Sequence, residues 1–262
     1  MKALGGMMRG IASLAFALLA GIQPAAARSF EDFGDDVMLY VRDGQSDRPS
    51  IVLYDPKAAE ANVKAKRPVV ELTLDFASAT ERWDYRAAVD DRLGELLKGM
   101  SARLVVTHTE PKQGRRSYLI VTAEPARVAA VLDRITPPTG IAAATRTLPA
   151  SELETWRPTP LEFQDAQDEQ VRSALAEQGD DGTTPRMVDF FFYGGDLAAL
   201  RAAAIQMDFE TRKAEGNRPG IVLSRRSSVD SKTLNTLNIQ FLDWSSRFRV
   251  EYDGWETELA RK

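Results

Sequence analysis

One histidine and no cysteine bound the chemistry open to this 262-residue chain. His108 stands in Val105-Val106-Thr107-His108-Thr109, an alternating stretch that reads as strand, and no serine-elbow motif occurs elsewhere to give it a nucleophile. A structural or solvated imidazole accounts for it. The missing cysteines exclude thiol catalysis, zinc–thiolate sites and disulfides, and a single histidine excludes a histidine-rich metal site. Three carboxylate pairs could in principle do acid–base work: Asp35/Asp36, Asp90/Asp91 and Asp180/Asp181. All fall in loops or on polar helix faces, where solvated charge is the expectation. No stretch supplies the alternating ligands and closing glutamate of a calcium loop. "FYGGD" (192–196) places glycines between a strand and a helix, but lacks a phosphate-binding pattern, and Asp196 would repel an anion. No catalytic residue, metal ligand or cofactor is therefore expected.

The residues that stand out are suited to contact rather than to reaction. Phe190-Phe191-Phe192-Tyr193 puts aromatic rings on both faces of one strand, although a sheet backed by helices on one side should alternate. The chain also closes on "VEYDGWETE" (250–258), in which Tyr252 and Trp255 flank Asp253-Gly254 and acidic neighbours surround them. Two roles suit this motif. Asp253-Gly254 could turn the chain so that Trp255 folds back and closes the core. Alternatively, Tyr252, Asp253, Gly254, Trp255 and Glu256, together with Phe191 and Tyr193, form an aromatic patch with an acidic rim that binds a protein partner.

These residues need a scaffold, and the patterning supplies one. Residues 37–44 and 49–55 read as extended runs joined by a polar turn, and 67–76 as a third strand. Val89, Leu93, Leu96, Leu97 and Met100 recur on one helical face. A hairpin (102–124), a helix opened by Pro125 and a strand at 140–148 follow. A proline-rich segment and a polar helix, within residues 151–183, separate this half from the next. The second half then runs strand (186–193), helix capped by Asp196, two strands around the turn at 215–220, helix capped by Asp230, and a closing strand at 248–253. The expected fold class is α+β: two tandem ferredoxin-like βαββαβ modules, at 28–150 and 184–262, with no residue-level repeat between them.

Residues 1–27 read as a signal peptide. Lys2 and Arg9 precede the apolar run Gly10–Ile22, Pro24 breaks it, and Ala25-Ala26-Ala27 fits a cleavage site. The run is shorter than the ~20 residues that span a bilayer, so cleavage after Ala27, a periplasmic or secreted product, and no stable membrane span are expected. Residues 28–150 hold 18 charges of each sign, whereas residues 165–262 hold 13 basic against 17 acidic residues. Nucleic-acid binding needs a basic stripe, and the balance argues against it even though exposed aromatic strands can stack RNA bases.

Three stretches, "VDFFFYGG" (188–195), "GIVLSRRSSVD" (220–230) and "VEYDGWETE", make residues 161–262 resemble the regulator of ribonuclease E inhibitor B (RraB-like) family. The first half is similar to the domain of unknown function six-nine-five, through "YVRDGQSDRPSIVLYD" and "RPVVELTLDF". The RraB resemblance implies a ferredoxin-like fold and a non-enzymatic regulator that binds a protein. An export signal separates such a chain from a cytoplasmic endoribonuclease, so the implied role is protein binding rather than that inhibition. The competing expectations are an envelope hydrolase using paired carboxylates and a structural envelope protein.

Overall fold

The structure, a computed structural model, describes residues 37–42, 50–76, 89, 92–110, 113–135 and 141–260. The expected signal peptide and the pairs Asp35/Asp36 and Asp90/Asp91 lie outside the described residues. The chain divides into two units, Met1–Pro158 and Thr159–Lys262.

In the first unit the order is β1 (Met38–Arg42), β2 (Ser50–Tyr54), α1 (Pro56–Ala65), β3 (Val69–Phe76), a helical stretch at 92–97, β4 (Ala102–Glu110), β5 (Arg115–Thr122), α2 (Pro125–Leu132), β6 (Ile141–Leu148) and α3 (Glu152–Thr155). The six strands form one antiparallel sheet in the order β1-β2-β4-β5-β3-β6. Val70, Leu72 and Leu74 of β3 pack with Tyr118 and Ile120 of β5 against Val89, Leu93, Val128 and Leu132, so the apolar face of the 89–100 pattern is a core face. The sequence pattern gave no sign of α1, because "PKAAEANVKA" carries no long apolar stripe. Local chemistry starts and stops it. Ala58 N–H donates to the Asp55 carboxylate at 2.9 Å, Pro56 occupies the first turn, and Lys66 ends it in the left-handed region at φ 52°. Its buried residues are the small Ala59 and the polar Asn62, whose amide donates to Arg67 O at 2.8 Å.

The second unit opens with α4 (Pro160–Glu177), followed by β7 (Arg186–Tyr193), α5 (Leu197–Ile205), β8 (Glu210–Lys213), β9 (Gly220–Ser227), α6 (Ser231–Phe248) and β10 (Glu251–Thr257). The antiparallel sheet has the order β10-β7-β9-β8. The closing strand thus lies beside the first, and the two hairpin strands sit outside on the other flank, which is the ferredoxin-like arrangement. Asp230 caps α6 by accepting from Thr233 N–H at 3.0 Å, and Leu234, Leu237, Phe241 and Trp244 form its buried stripe. Phe241 is the hub, with its ring centroid 4.8 Å from that of Phe190, 5.0 Å from Tyr252 and 5.7 Å from Trp244. Rings at these spacings add about 0.5–1.5 kcal/mol per pair beyond the apolar area they bury.

Two boundaries differ from the sequence pattern. The polar helix expected in the connecting segment is α4, which starts at a capping box between Thr159 and Glu162 and packs within the second unit against α6 and β10. Its few apolar anchors had concealed this, since only Leu175 among its long apolar residues joins the core. The closing strand also starts later than its pattern suggests. Phe248 ends α6, Arg249 turns the chain at φ 56°, and β10 begins at Glu251. The strand then continues straight through Asp253-Gly254. That pair makes no reversal; Gly254, at φ 90°, sits in a bulge where the register with β7 shifts between Tyr252 and Trp255.

Candidate functional site

The register of the second sheet decides which aromatic residues can share a surface. Residues directly opposite in an antiparallel pair point to the same face. Phe190 lies opposite Leu223 and Trp255, and Phe192 opposite Ile221 and Tyr252. These six residues face the helices and build the core, with Phe190 and Phe192 fully buried. Phe191 lies opposite Val222, Tyr193 opposite Gly220 and Glu251, and Asp189 opposite Ser224 and Glu256. They form the other face, which none of the unit's helices covers. The seven candidate binding residues are therefore split by the sheet. Phe191, Tyr193 and Glu256 share one face, Tyr252 and Trp255 belong to the other, and Asp253 and Gly254 lie in the bulge between them.

Trp255 closes the core, as one of the two sequence readings had it. It is 9% exposed, and its Nε1 donates to Asp168 Oδ1 at 2.8 Å. Asp168, on α4, also accepts from Gln164 Nε2 at 3.2 Å and Asn238 Nδ2 at 2.6 Å. Asn238 and Asn235 of α6 donate to Asp165 as well, at 3.1 and 3.0 Å. One carboxylate thus joins α4, α6 and β10. Burial pushes the Asp168 pKa up, and the hydrogen bonds from Asn238, Trp255 and Gln164 oppose that shift. The Tyr252 hydroxyl is buried with no hydrogen-bond partner, and burial, reinforced by the Asp168 charge, drives its pKa far up. Tyr252 acts as an apolar ring in this setting, stacked 5.0 Å from Phe192.

The opposite face is built around Tyr193. A Cβ on Gly220 would stand 2.5 Å from the Tyr193 ring carbon Cδ1, so the ring lies directly on the glycine backbone. The Arg218 guanidinium sits 4.9 Å from the ring centroid on a salt bridge to Glu251. That contact lowers the Glu251 pKa and raises that of Arg218. Next to it, Asp189 accepts from Arg212 Nη2 at 2.6 Å and from the Ser224 hydroxyl. Phe191 and Tyr193 are half-buried, and Met187, at the end of the same row, is 47% exposed. The result is a row of apolar and aromatic side chains edged by salt bridges, with Glu256 exposed beside it. It offers shape and apolar contact and holds no group placed for bond making.

Two further sequence candidates, Asp180 and His108, have structural roles. Asp180 is not the solvated loop charge expected of it. It is 4% exposed, paired with Arg186 through both carboxylate oxygens, and accepts from Gly182 N–H and Ala260 N–H, each at 2.9 Å. These contacts depress its pKa strongly and tie the loop before β7 to the segment after β10. Gly182 and Arg186 lie within six residues of Asp180, but the third donor, Ala260, is 80 positions away. His108 is buried on β4 with its ring centroid 4.6 Å from that of Trp156. Burial first, and then the Arg42 charge, lower its pKa to about 4, so it is neutral at pH 7. Among the described residues no group of three or more His, Cys, Asp or Glu side chains could hold a metal ion, and no helix is long and apolar enough to cross a membrane.

The second unit is a ferredoxin-like α+β domain with one helix-covered sheet face and one aromatic, salt-bridged face. Residues 165–257 match the family described as RraB, regulator of ribonuclease activity B. The second unit is thus an RraB-like domain, and the match takes in both Asp168 on α4 and Trp255 on β10. No curated protein matches the chain. A solved structure described as a candidate glycine cleavage system transcriptional repressor aligns with 74% of this chain and 99% of its own, at 9% identity and a TM-score of 0.22.

Proposed function

We propose that this chain is an exported, non-enzymatic regulator whose RraB-like unit binds a protein partner through the helix-free face of its sheet. The observation that carries this reading is the placement of Phe191 and Tyr193. Both rings sit in one row on a face without helices, held in position by Gly220, Arg218 and their strand neighbours. Aromatic side chains fixed in this way lose little conformational freedom on binding and are the type that dominates interface energies. The partner that fits presents an apolar side chain to Phe191 and basic groups to Glu256 and Asp253. Export rests on the residue pattern of 1–27, and makes an envelope protein the partner rather than a cytoplasmic ribonuclease. The two units are read as tandem ferredoxin-like modules, since β4-β5-β3-β6 in the first repeats the strand order of the second. The first unit's likeness to domain of unknown function six-nine-five rests on its sequence motifs.

The test is affinity capture from an envelope fraction with the wild-type chain and with Phe191→Ala, melting both to verify folding. A partner held by the wild type and lost by a normally folded Phe191→Ala supports the reading. No partner, with turnover of an envelope substrate by the wild type, would replace it with the carboxylate hydrolase.

A further inference from the structure

The two sheets have four outer strands, and three of them are protected against pairing with another chain. Strand β8 is only four residues long, and Glu210, Arg212 and Lys213 charge it. Strand β10 is bulged at Gly254 and carries Glu251, Asp253 and Glu256. Strand β1 has five residues, of which Tyr40 and Arg42 are fastened to the backbone carbonyls of Thr155, Trp156 and Arg157. Short length, charge and bulges are the devices by which proteins keep an edge from pairing.

Strand β6 is neither short nor bulged, and it carries a single charge. Its eight residues, "IAAATRTL", pair with β3 without a register shift from Leu148 opposite Val69 to Ile141 opposite Phe76. Ala142, Ala143 and Ala144 are exposed and too small to block an approaching strand. The strand's only charge, Arg146, is engaged by Glu71 of β3. Among the described residues no strand pairs with its outer side, so alternate amides and carbonyls along it lack a sheet partner.

We propose that β6 is a homodimer interface, pairing antiparallel with β6 of a second copy so that the sheet runs from one first unit into the next. The strand is self-complementary for this. A two-fold axis normal to the sheet through Ala144 sets Arg146 opposite Ala142 of the second copy; an axis through Thr145 sets it opposite Ala144. In either register the charge meets an alanine and never itself. A second copy also closes both open edges at once, whereas an added peptide strand would create a new edge.

The test is sedimentation velocity across a concentration series for the purified chain and two double variants. Ala142→Lys with Ala144→Lys places a lysine opposite Arg146 in both registers, and inside the chain those lysines stand next to Asp75 and Thr73, where they do no harm. Ala142→Glu with Ala144→Glu places an acid opposite Arg146 instead. The wild type is expected to dimerise reversibly, the lysine variant to dissociate about tenfold more readily, and the glutamate variant to remain a dimer. Amide exchange of residues 141–148 in the wild type should slow as concentration rises, which reads the interface without any substitution. A wild type that is monomeric throughout, a lysine variant that dimerises as the wild type does, or equal loss in both variants would overturn the proposal.

Discussion

Asp168 on α4 and Trp255 on β10 are joined by a 2.8 Å hydrogen bond across 87 positions of sequence, and this bond makes α4 a part of the RraB-like unit. Removing this buried carboxylate strands the Gln164 and Trp255 donors and leaves Asn238 with Asp165 alone. Asp168→Ala should therefore cost about 2–3 kcal/mol, and Trp255→Phe about 1 kcal/mol. The double variant should cost about 1 kcal/mol less than the sum. Urea unfolding of the four proteins checks this, and strict additivity would show that the two residues do not act together.

Asp180 and Arg186 should set the acid stability of the same unit. The folded-state pKa of Asp180 is depressed below its ordinary value of 3.8. Its contribution is complete above that value and is lost as pH falls toward the folded-state pKa. Asp180→Asn leaves Arg186 buried without a charged partner, and should cost about 3–5 kcal/mol at pH 7 while flattening the decline of stability below pH 3.8. Melting curves across acid pH test both parts. An unchanged acid limb in the variant would assign it to other carboxylates.

His108 gives a titration that needs no assignment by mutagenesis, because it is the chain's only histidine. Its pKa is lowered from 6.5 to about 4, chiefly by burial. The folded state therefore binds fewer protons than the unfolded state in that window, and stability from the neutral ring is complete above pH 6.5 and declines as pH falls through it. Proton NMR of the imidazole should give a midpoint near 4. A midpoint near 6.5 would mean a solvated ring and contradict the contact with Trp156.

The βαββαβ order of the second unit was readable from sequence because its signals are local: aspartates at positions 196 and 230 before helical runs, and apolar spacing at Leu234, Leu237, Phe241 and Trp244. The alternation of Phe190 to Tyr193 likewise marked two faces correctly. What was not legible depended on partners distant in the chain. The Asp253-Gly254 pair looks like a hairpin turn until its register with β7 shows a bulge, and this alone moves Trp255 away from Phe191. The buried state of Asp180 depends in part on Ala260, 80 positions away, and that of Asp168 on Asn238 and Trp255. A polar residue in a polar stretch carries no local mark of the donors that surround it.

Gly220→Ala tests the positioning of Tyr193. Its backbone is not in the left-handed region, so the substitution adds no dihedral strain; the new methyl would instead stand 2.5 Å from the Tyr193 ring and 2.9 Å from the Phe192 carbonyl oxygen. The ring must lift, at a cost of about 1–3 kcal/mol. Partner binding should weaken with it, while Ala at exposed Glu210 on β8 leaves both stability and binding unchanged. Calorimetric melting and a binding assay run on the same samples check this, and a Gly220→Ala protein with wild-type stability would contradict the ring's placement.

The most direct test of the central claim is the dissociation constant of the captured partner for the wild type and for Phe191→Ala. A hot-spot ring at the centre of an interface contributes about 2 kcal/mol or more, which is roughly a thirtyfold change. The account predicts a loss of that order in Phe191→Ala, with the variant still fully folded at the assay temperature. An unchanged dissociation constant in that folded variant would contradict it.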